Sequence, residues 1–248
     1  MPTSSDTPRV ALVTGGSGGI GKAVVRRLAR DGYAVGVHYS GNEAAAEALV
    51  GEITAAGGRA VAVGGDVADE HAMAAAFDAV EAAFGGLDVV VHTAGIMRLR
   101  PIAELDLADF DAVHRTNVRG TFVVDQQAAR RLRPGGALVN FSTSVMGLQL
   151  PAYGAYVASK GAVEALTLVL ARELRGRDVT VNAVAPGPTA TPLFLDGKDQ
   201  ETVDRLAAQP PLERLGTPED IAELTAFLAS PAGHWVNGQN IRDNGGIV

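Results

Sequence analysis

Eight residues near the start of the chain, Thr14-Gly15-Gly16-Ser17-Gly18-Gly19-Ile20-Gly21, place five glycines between an apolar run at 10–14 and a helical pattern at 20–30. Glycine reaches backbone conformations closed to other residues, and without a Cβ its main chain can approach another group closely. At a strand-to-helix junction such a turn presents the first helical amides and the positive end of the helix dipole, a seat for a diphosphate. Two registers fit: Gly16, Gly18 and Gly21 as G-x-G-x-x-G, or Gly15, Gly19 and Gly21 as G-x-x-x-G-x-G. Diphosphate contacts are expected from Gly15, Ser17, Gly18, Gly19, Ile20 and Gly21.

The rest of the chain repeats the same alternation. Strands are expected at 10–14, 34–38, 60–63, 89–91, 137–141 and 179–184, with helices at 20–30, 43–56, 70–84 and 155–172. The strand runs are continuously apolar, as when helices cover both faces of a sheet. The order predicts one α/β domain over 1–248, a doubly wound parallel sheet of Rossmann type. Only 187–216, rich in Pro, Gly, Thr and charge around Leu193-Phe194-Leu195, breaks the rhythm, and it is read as a substrate-covering lid.

Composition narrows the function. A 47% hydrophobic, 20% charged chain is globular. Its net charge of −7 gives no general attraction to nucleic acid or anionic membrane. It has no cysteine, which excludes thiolate catalysis. Segment 1–9 is polar without an apolar signal core, and the longest uncharged stretch, 134–159, is too polar to read as a membrane span. A cytoplasmic protein is expected. The five histidines show no ligand spacing, so no metal site is expected.

The second strand ends in His38-Tyr39-Ser40-Gly41-Asn42, without the carboxylate that would bind the adenosine ribose of NAD. Nothing there repels a 2′-phosphate, and Ser40 and Asn42 can donate hydrogen bonds to one. NADP(H) is therefore favoured over NAD(H).

Tyr156 and Lys160 stand four residues apart on a predicted helix, on one face. An ammonium beside a phenol favours phenolate, so Lys160 is expected to lower the Tyr156 pKa and make it a general acid/base.

The glycine turn followed by Tyr-x-x-x-Lys resembles the short-chain dehydrogenase/reductase family over essentially the whole chain. Further stretches match in order: Asp66-Val67 after the third strand, Thr93-Ala94-Gly95 with threonine in place of the family's asparagine, Asn117, the Ser142-Thr143-Ser144 run, and Pro186-Gly187 with Thr189 and Thr191. The resemblance implies a hydride-transferring oxidoreductase with Asn117, Ser144, Tyr156 and Lys160 as catalytic residues. Ser142 is the alternative serine. It also implies cofactor contacts at Asp66, Val67, Ala94, Gly95, Tyr156, Lys160, Pro186, Gly187, Thr189 and Thr191. Lys160 would hold the nicotinamide ribose, and Asn117 would position a water leading from Lys160 to solvent.

The expected substrate is a small carbonyl or alcohol with an apolar group, in a pocket lined by Leu148, Leu150, Tyr153, Leu193 and Phe194. A 3-oxoacyl-carrier-protein reductase is the alternative, with Arg133 and Arg177 at matching positions for an acidic carrier, and Arg98 and Arg100 in a loop facing the site. A nucleotide-sensing scaffold without catalysis is disfavoured, because tyrosine and lysine are both present. The helix at 155–172 is apolar nearly all round, which together with the resemblance implies a homo-oligomer, a homotetramer first.

Overall fold

The structure, a computed structural model, describes residues 8–248. Most of the polar N-terminal segment, 1–7, lies outside the described residues. The elements run β1 (Val10–Thr14), α1 (Gly19–Arg30), β2 (Ala34–Tyr39), α2 (Glu43–Ala55), β3 (Arg59–Gly64), α3 (Glu70–Phe84) and β4 (Val89–His92). Next come α4 (Leu107–His114), a π-helical turn (Arg115–Arg119), α5 (Gly120–Arg131), β5 (Gly136–Phe141), α6 (Val145–Leu148), α7 (Gly154–Glu173) and β6 (Val179–Pro186). The chain closes with α8 (Pro192–Leu195), α9 (Gln200–Ala207), α10 (Pro218–Ala229) and β7 (Asn240–Asp243).

All seven strands form one parallel sheet in the order β3-β2-β1-β4-β5-β6-β7. The pleat divides each strand between two cores. Ala11 and Val13 of β1 pack with α1, α2 and α10, while Val10 and Leu12 face the other way onto α3, α5 and α7. Every residue of β1 is buried for this reason, and the strand reads as an unbroken apolar run. Helix starts are set locally. Asn42 caps α2, Asp69 caps α3, and Thr217 with Asp220 forms a capping box on α10 ahead of Pro218.

The sequence reading missed β7. Asn240-Ile241-Arg242-Asp243 is a short, half-exposed edge strand with no apolar run, and it is recruited by pairing with β6 from Ala183 to Pro186. The segment 187–216 is less irregular than expected, since it contains α8 and α9. α7 is long and apolar enough to cross a bilayer, yet it lies on the sheet and buries Ser159, Lys160 and Thr167 within the protein.

The chain moves from β1 outward to β3 and then returns to β4 on the other side of β1. That reversal opens a crevice at the carboxyl ends of β1 and β4, where ligands bind in sheets of this kind.

Candidate active site

The glycine turn sits at the β1 side of this crevice. Gly15 has φ +67° and Gly19 φ +50°, both left-handed, and a Cβ on Gly21 would lie 2.3 Å from the Gly15 carbonyl. These are the positions of G-x-x-x-G-x-G, which selects that register; Gly18 of the other register has open space where a Cβ would go. His38, buried at the end of β2, props the turn from below. Its carbonyl accepts from Gly16 N at 2.9 Å, and its Nδ1 accepts from Gly15 N at 3.4 Å. Burial pushes the His38 imidazole down to about 4. Gly18 caps α1 without a side chain, so no capping group competes with a phosphate for the first helical amides. The cradle thus fits a dinucleotide diphosphate, with Ser17 and Ile20 half-buried beside it and Ile20 reaching the neighbouring cavity.

Ser40 and Asn42 are exposed beyond β2. Asn42 Oδ1 already accepts from Ala45 N at 3.1 Å, which leaves its amide NH2 to donate. Asp66 accepts from Ala68 N at 2.9 Å and pairs with Arg115. Burial opposes its charge, but that amide and the guanidinium hold it below the usual carboxylate range. Val67 turns its side chain into the core, so only its backbone is offered to a ligand. Thr93 Oγ1 donates to the Thr14 carbonyl at 2.6 Å, tying β4 to β1 in place of an asparagine amide. Ala94 packs beside Gly15, and Gly95 lies against Asn117 Oδ1 and Lys160 Nζ. On the far wall, Pro186 ends β6, Gly187 N donates to the Asp243 carbonyl, Thr189 Oγ1 donates to the Gly187 carbonyl, and Thr191 caps α8.

Tyr156 and Lys160 rise from the first turns of α7 toward the crevice. Asn117 lies in the π turn between α4 and α5. Its side chain clasps the Ile96 backbone, with Oδ1 accepting and Nδ2 donating at 2.9 Å each, and Nδ2 also donates to Ser159 Oγ at 3.0 Å. The π turn thus puts Asn117 beside Lys160.

One expectation is corrected here. Lys160 Nζ donates to the Phe141 carbonyl at 2.8 Å and lies 5.8 Å from the centre of the Tyr156 ring. Burial therefore dominates the phenol, which is pushed up to about 12, with the Thr143 hydroxyl opposing and Tyr153 adding to the rise. Burial also drives the Lys160 ammonium down to about 8. The phenol is held protonated rather than acidic.

The three hydroxyls of the 142–144 run all line the crevice. Ser144 is buried and its Oγ donates to the Ala185 carbonyl at 2.8 Å while accepting from Asn244 Nδ2 at 3.0 Å. Ser142 Oγ is likewise committed, donating to Glu164 at 2.6 Å. Thr143, between them, accepts from Val145 N at 3.3 Å with its Oγ1 and lies near enough to the Tyr156 phenol to work against its rise in pKa. A threonine hydroxyl does the same chemistry as a serine's, and Thr143 is one residue further from Tyr156 than Ser144, which makes it a candidate the sequence reading did not weigh.

Beyond the hydroxyls lies a cavity of about 140 Å³. All five expected apolar residues, Leu148, Leu150, Tyr153, Leu193 and Phe194, line it; Met97, Val145, Leu206 and Gln209 were not foreseen. Leu193, Phe194, Leu206 and Gln209 come from the 187–216 segment, which forms one wall of the cavity. Arg98 instead faces Asp109 at 3.8 Å, and neither it nor Arg100 lines the cavity. Arg133 pairs with Asp88, which precedes β4, and Arg177 donates to the Ala129 and Leu132 carbonyls. Both stand at the amino end of the sheet, away from the cavity of the same chain, contrary to a place at its mouth.

A family profile described as Enoyl-(Acyl carrier protein) reductase matches residues 15–248. A Picea abies protein named short-chain type dehydrogenase/reductase is 43% identical, with 97% of this chain and 92% of that protein covered. An Arabidopsis thaliana NADPH-dependent aldehyde reductase-like protein, chloroplastic, is 40% identical over 97% of this chain and 94% of its own length. A Staphylococcus aureus (strain Mu50) 3-oxoacyl-[acyl-carrier-protein] reductase is also 40% identical, covering 96% and 97%. The crystal structure of a short chain dehydrogenase from Burkholderia cenocepacia J2315 in complex with NADP superposes with a TM-score of 0.91 at 40% identity, covering 97% of this chain and 98% of that one. With its glycine cradle, its Tyr156–Lys160 helix and these matches spanning nearly its full length, the chain belongs to the short-chain dehydrogenase/reductase family.

Proposed function

We propose that the protein is an NADPH-dependent reductase of small aldehydes or ketones bearing an apolar group. The observation that carries this is the placement of the Thr143 and Tyr156 hydroxyls and Lys160 between the glycine cradle and an apolar cavity of about 140 Å³. Gly15, Gly19 and Gly21 shape the seat for the diphosphate, and Ser40 with the free amide of Asn42 would receive the 2′-phosphate. Bound NADPH supplies the hydride that reduces the carbonyl carbon.

The chain supplies the proton and the field. Thr143 donates a hydrogen bond to the carbonyl oxygen and stabilises its growing negative charge. Tyr156, kept neutral by burial, gives its proton to that oxygen, since an alkoxide is more basic than a phenolate. Lys160 provides positive charge while the phenolate persists, and Asn117 fixes the turn through which a proton is replaced from solvent. The segment 187–216 closes the cavity as a lid. The test is NADPH oxidation with a panel of short aldehydes and ketones, run in parallel with NADH. Turnover of none of them with NADPH would overturn the proposal.

Reduction of a carrier-bound 3-oxoacyl group is the second reading, favoured by the Staphylococcus aureus relative. The single-chain geometry gives it no basic mouth, because Arg133 and Arg177 are committed elsewhere. A higher kcat/KM for an acyl-carrier thioester than for a free diketone would favour it.

A cytoplasmic homotetramer belongs to the same reading. Phe122 on α5 and Leu168 and Val169 on α7 are about half exposed, and Trp235 is 99% exposed, apolar surface that a second copy would cover. Light scattering showing monomer alone would remove it.

A further inference from the structure

His92 ends β4 with its ring buried, its Nδ1 2.7 Å from Thr14 Oγ1 and its Nε2 3.1 Å from Thr121 Oγ1. Thr121 Oγ1 in turn lies 2.6 Å from the Asn117 carbonyl oxygen. These contacts fix every hydrogen in the chain. A carbonyl only accepts, so the single hydroxyl hydrogen of Thr121 goes to Asn117. The Thr121 oxygen must then receive the bond from His92, which places the ring proton on Nε2. Nδ1 is left with a lone pair, and it accepts from the Thr14 hydroxyl.

The hydrogen bonds therefore all point one way, from Thr14 through His92 and Thr121 to Asn117. They join the residue before the glycine turn to the π turn that carries Asn117. The same turn is held from its other side by the Asn117 side chain on Ile96 and Ser159. Lys160 and His38 are the charged or titratable groups that face His92 electrostatically. Burial first, then these two, push its imidazole down to about 3, so the ring stays neutral.

We propose that His92 is a positioning residue: as the neutral Nε2–H tautomer it locks the carbonyl of Asn117 in register with the cofactor-side strand through Thr14 and Thr121. The geometry stands by itself, whereas the kinetic consequence rests on the reductase reading above. An imidazole suits this place because it alone among neutral side chains presents one donor and one acceptor on opposite sides of a rigid ring. A misplaced Asn117 turn would slow the chemical step and leave nucleotide binding intact, because the glycine cradle is separately propped by His38.

The test has two arms on the full-length protein. Nitrogen-15 imidazole spectra should show two neutral Nε2–H histidines, His38 and His92, of which the one lost in His92→Phe has a slowly exchanging proton and moves in Thr121→Val. In the kinetic arm, Thr121→Val should lower kcat roughly tenfold, the rate equivalent of one lost hydrogen bond, with unchanged NADPH affinity. Thr121→Ser, which keeps the hydroxyl, should restore it. His92→Phe, which removes both bonds at similar volume, should match Thr121→Val if it folds. A cationic, Nδ1–H or mixed-tautomer His92 would overturn the proposal, as would wild-type kcat in Thr121→Val. If the wild-type protein reduces no carbonyl, the reductase reading fails and the spectrum alone decides the role of His92.

Discussion

Thr143 lies near enough to Tyr156 for its hydroxyl to oppose the rise of the phenol's pKa, while its neighbour Ser144 donates to the Ala185 carbonyl at 2.8 Å. The two residues therefore carry different loads. Thr143→Val should lower kcat by ~10² to 10³, the effect of removing one donor to a developing oxyanion, and Thr143→Ser should retain activity. Ser144→Ala should keep the chemistry and lower thermal stability instead. Steady-state kinetics and melting temperatures of the three variants separate the roles; equal kcat losses in Thr143→Val and Ser144→Ala would contradict the assignment.

Tyr156→Phe removes only the proton donor. It should reduce turnover by ~10² to 10⁴, the usual share of general acid catalysis, and leave NADPH affinity unchanged, measured by nucleotide fluorescence.

The alkaline limb of the pH profile should belong to Lys160. Its folded pKa is depressed to about 8, so the ammonium is present below that pH and lost above it. Carbonyl reduction should fall as pH rises through about 8, in kcat/KM, which reports the free enzyme. Tyr156, pushed up to about 12, stays protonated across this range and cannot be the cause. A Lys160→Met variant should lose the limb along with most of its activity.

Asp125 offers a stability prediction away from the chemistry. It is buried between α5 and β5 with Asn140 Nδ2 at 3.3 Å, and burial raises its carboxyl to about 7. The native state thus keeps a proton that the unfolded chain releases at its ordinary, lower pKa. Stability falls as pH rises from about 4 to 7, then levels off. Asp125→Asn should be more stable than wild type above pH ~7, by at most ~4 kcal/mol, with the gain shrinking toward pH ~4. Urea unfolding at several pH values gives the comparison; a constant difference would refute it.

Gly21→Ala is the sharpest test of the cradle. The added Cβ would lie 2.3 Å from the Gly15 carbonyl, so turn and helix must part. NADPH affinity should fall at least ~10-fold, since a loss of about 1.4 kcal/mol already does so, measured by calorimetry on a folded variant.

Much of this was legible because the signals are local. The buried strands on both sides of β1 read as apolar runs, and the glycine turn announced the crevice that the β1–β4 reversal opens. β7 was not legible, since a polar edge strand exists only through its partner β6. The site was legible in its members more than in their electrostatics. Spacing put Tyr156 and Lys160 on one face, but the Phe141 carbonyl that draws Lys160 away comes from a different element, as does the burial that governs both pKa values. Which hydroxyl of the 142–144 run faces the chemistry was not legible, because adjacent hydroxyls differ only in which way the backbone after β5 aims them.

Thr191, which starts the helix leading into the cavity wall, stands against Gly19 at the cradle, within 3.8 Å of where a side chain there would begin. The cavity wall thus has its footing beside the cradle proposed for the diphosphate. A nucleotide seated there would press on the threonine that starts the wall, and the expected kinetics are therefore ordered, coenzyme before carbonyl. Product inhibition by NADP competitive against NADPH alone would display that order.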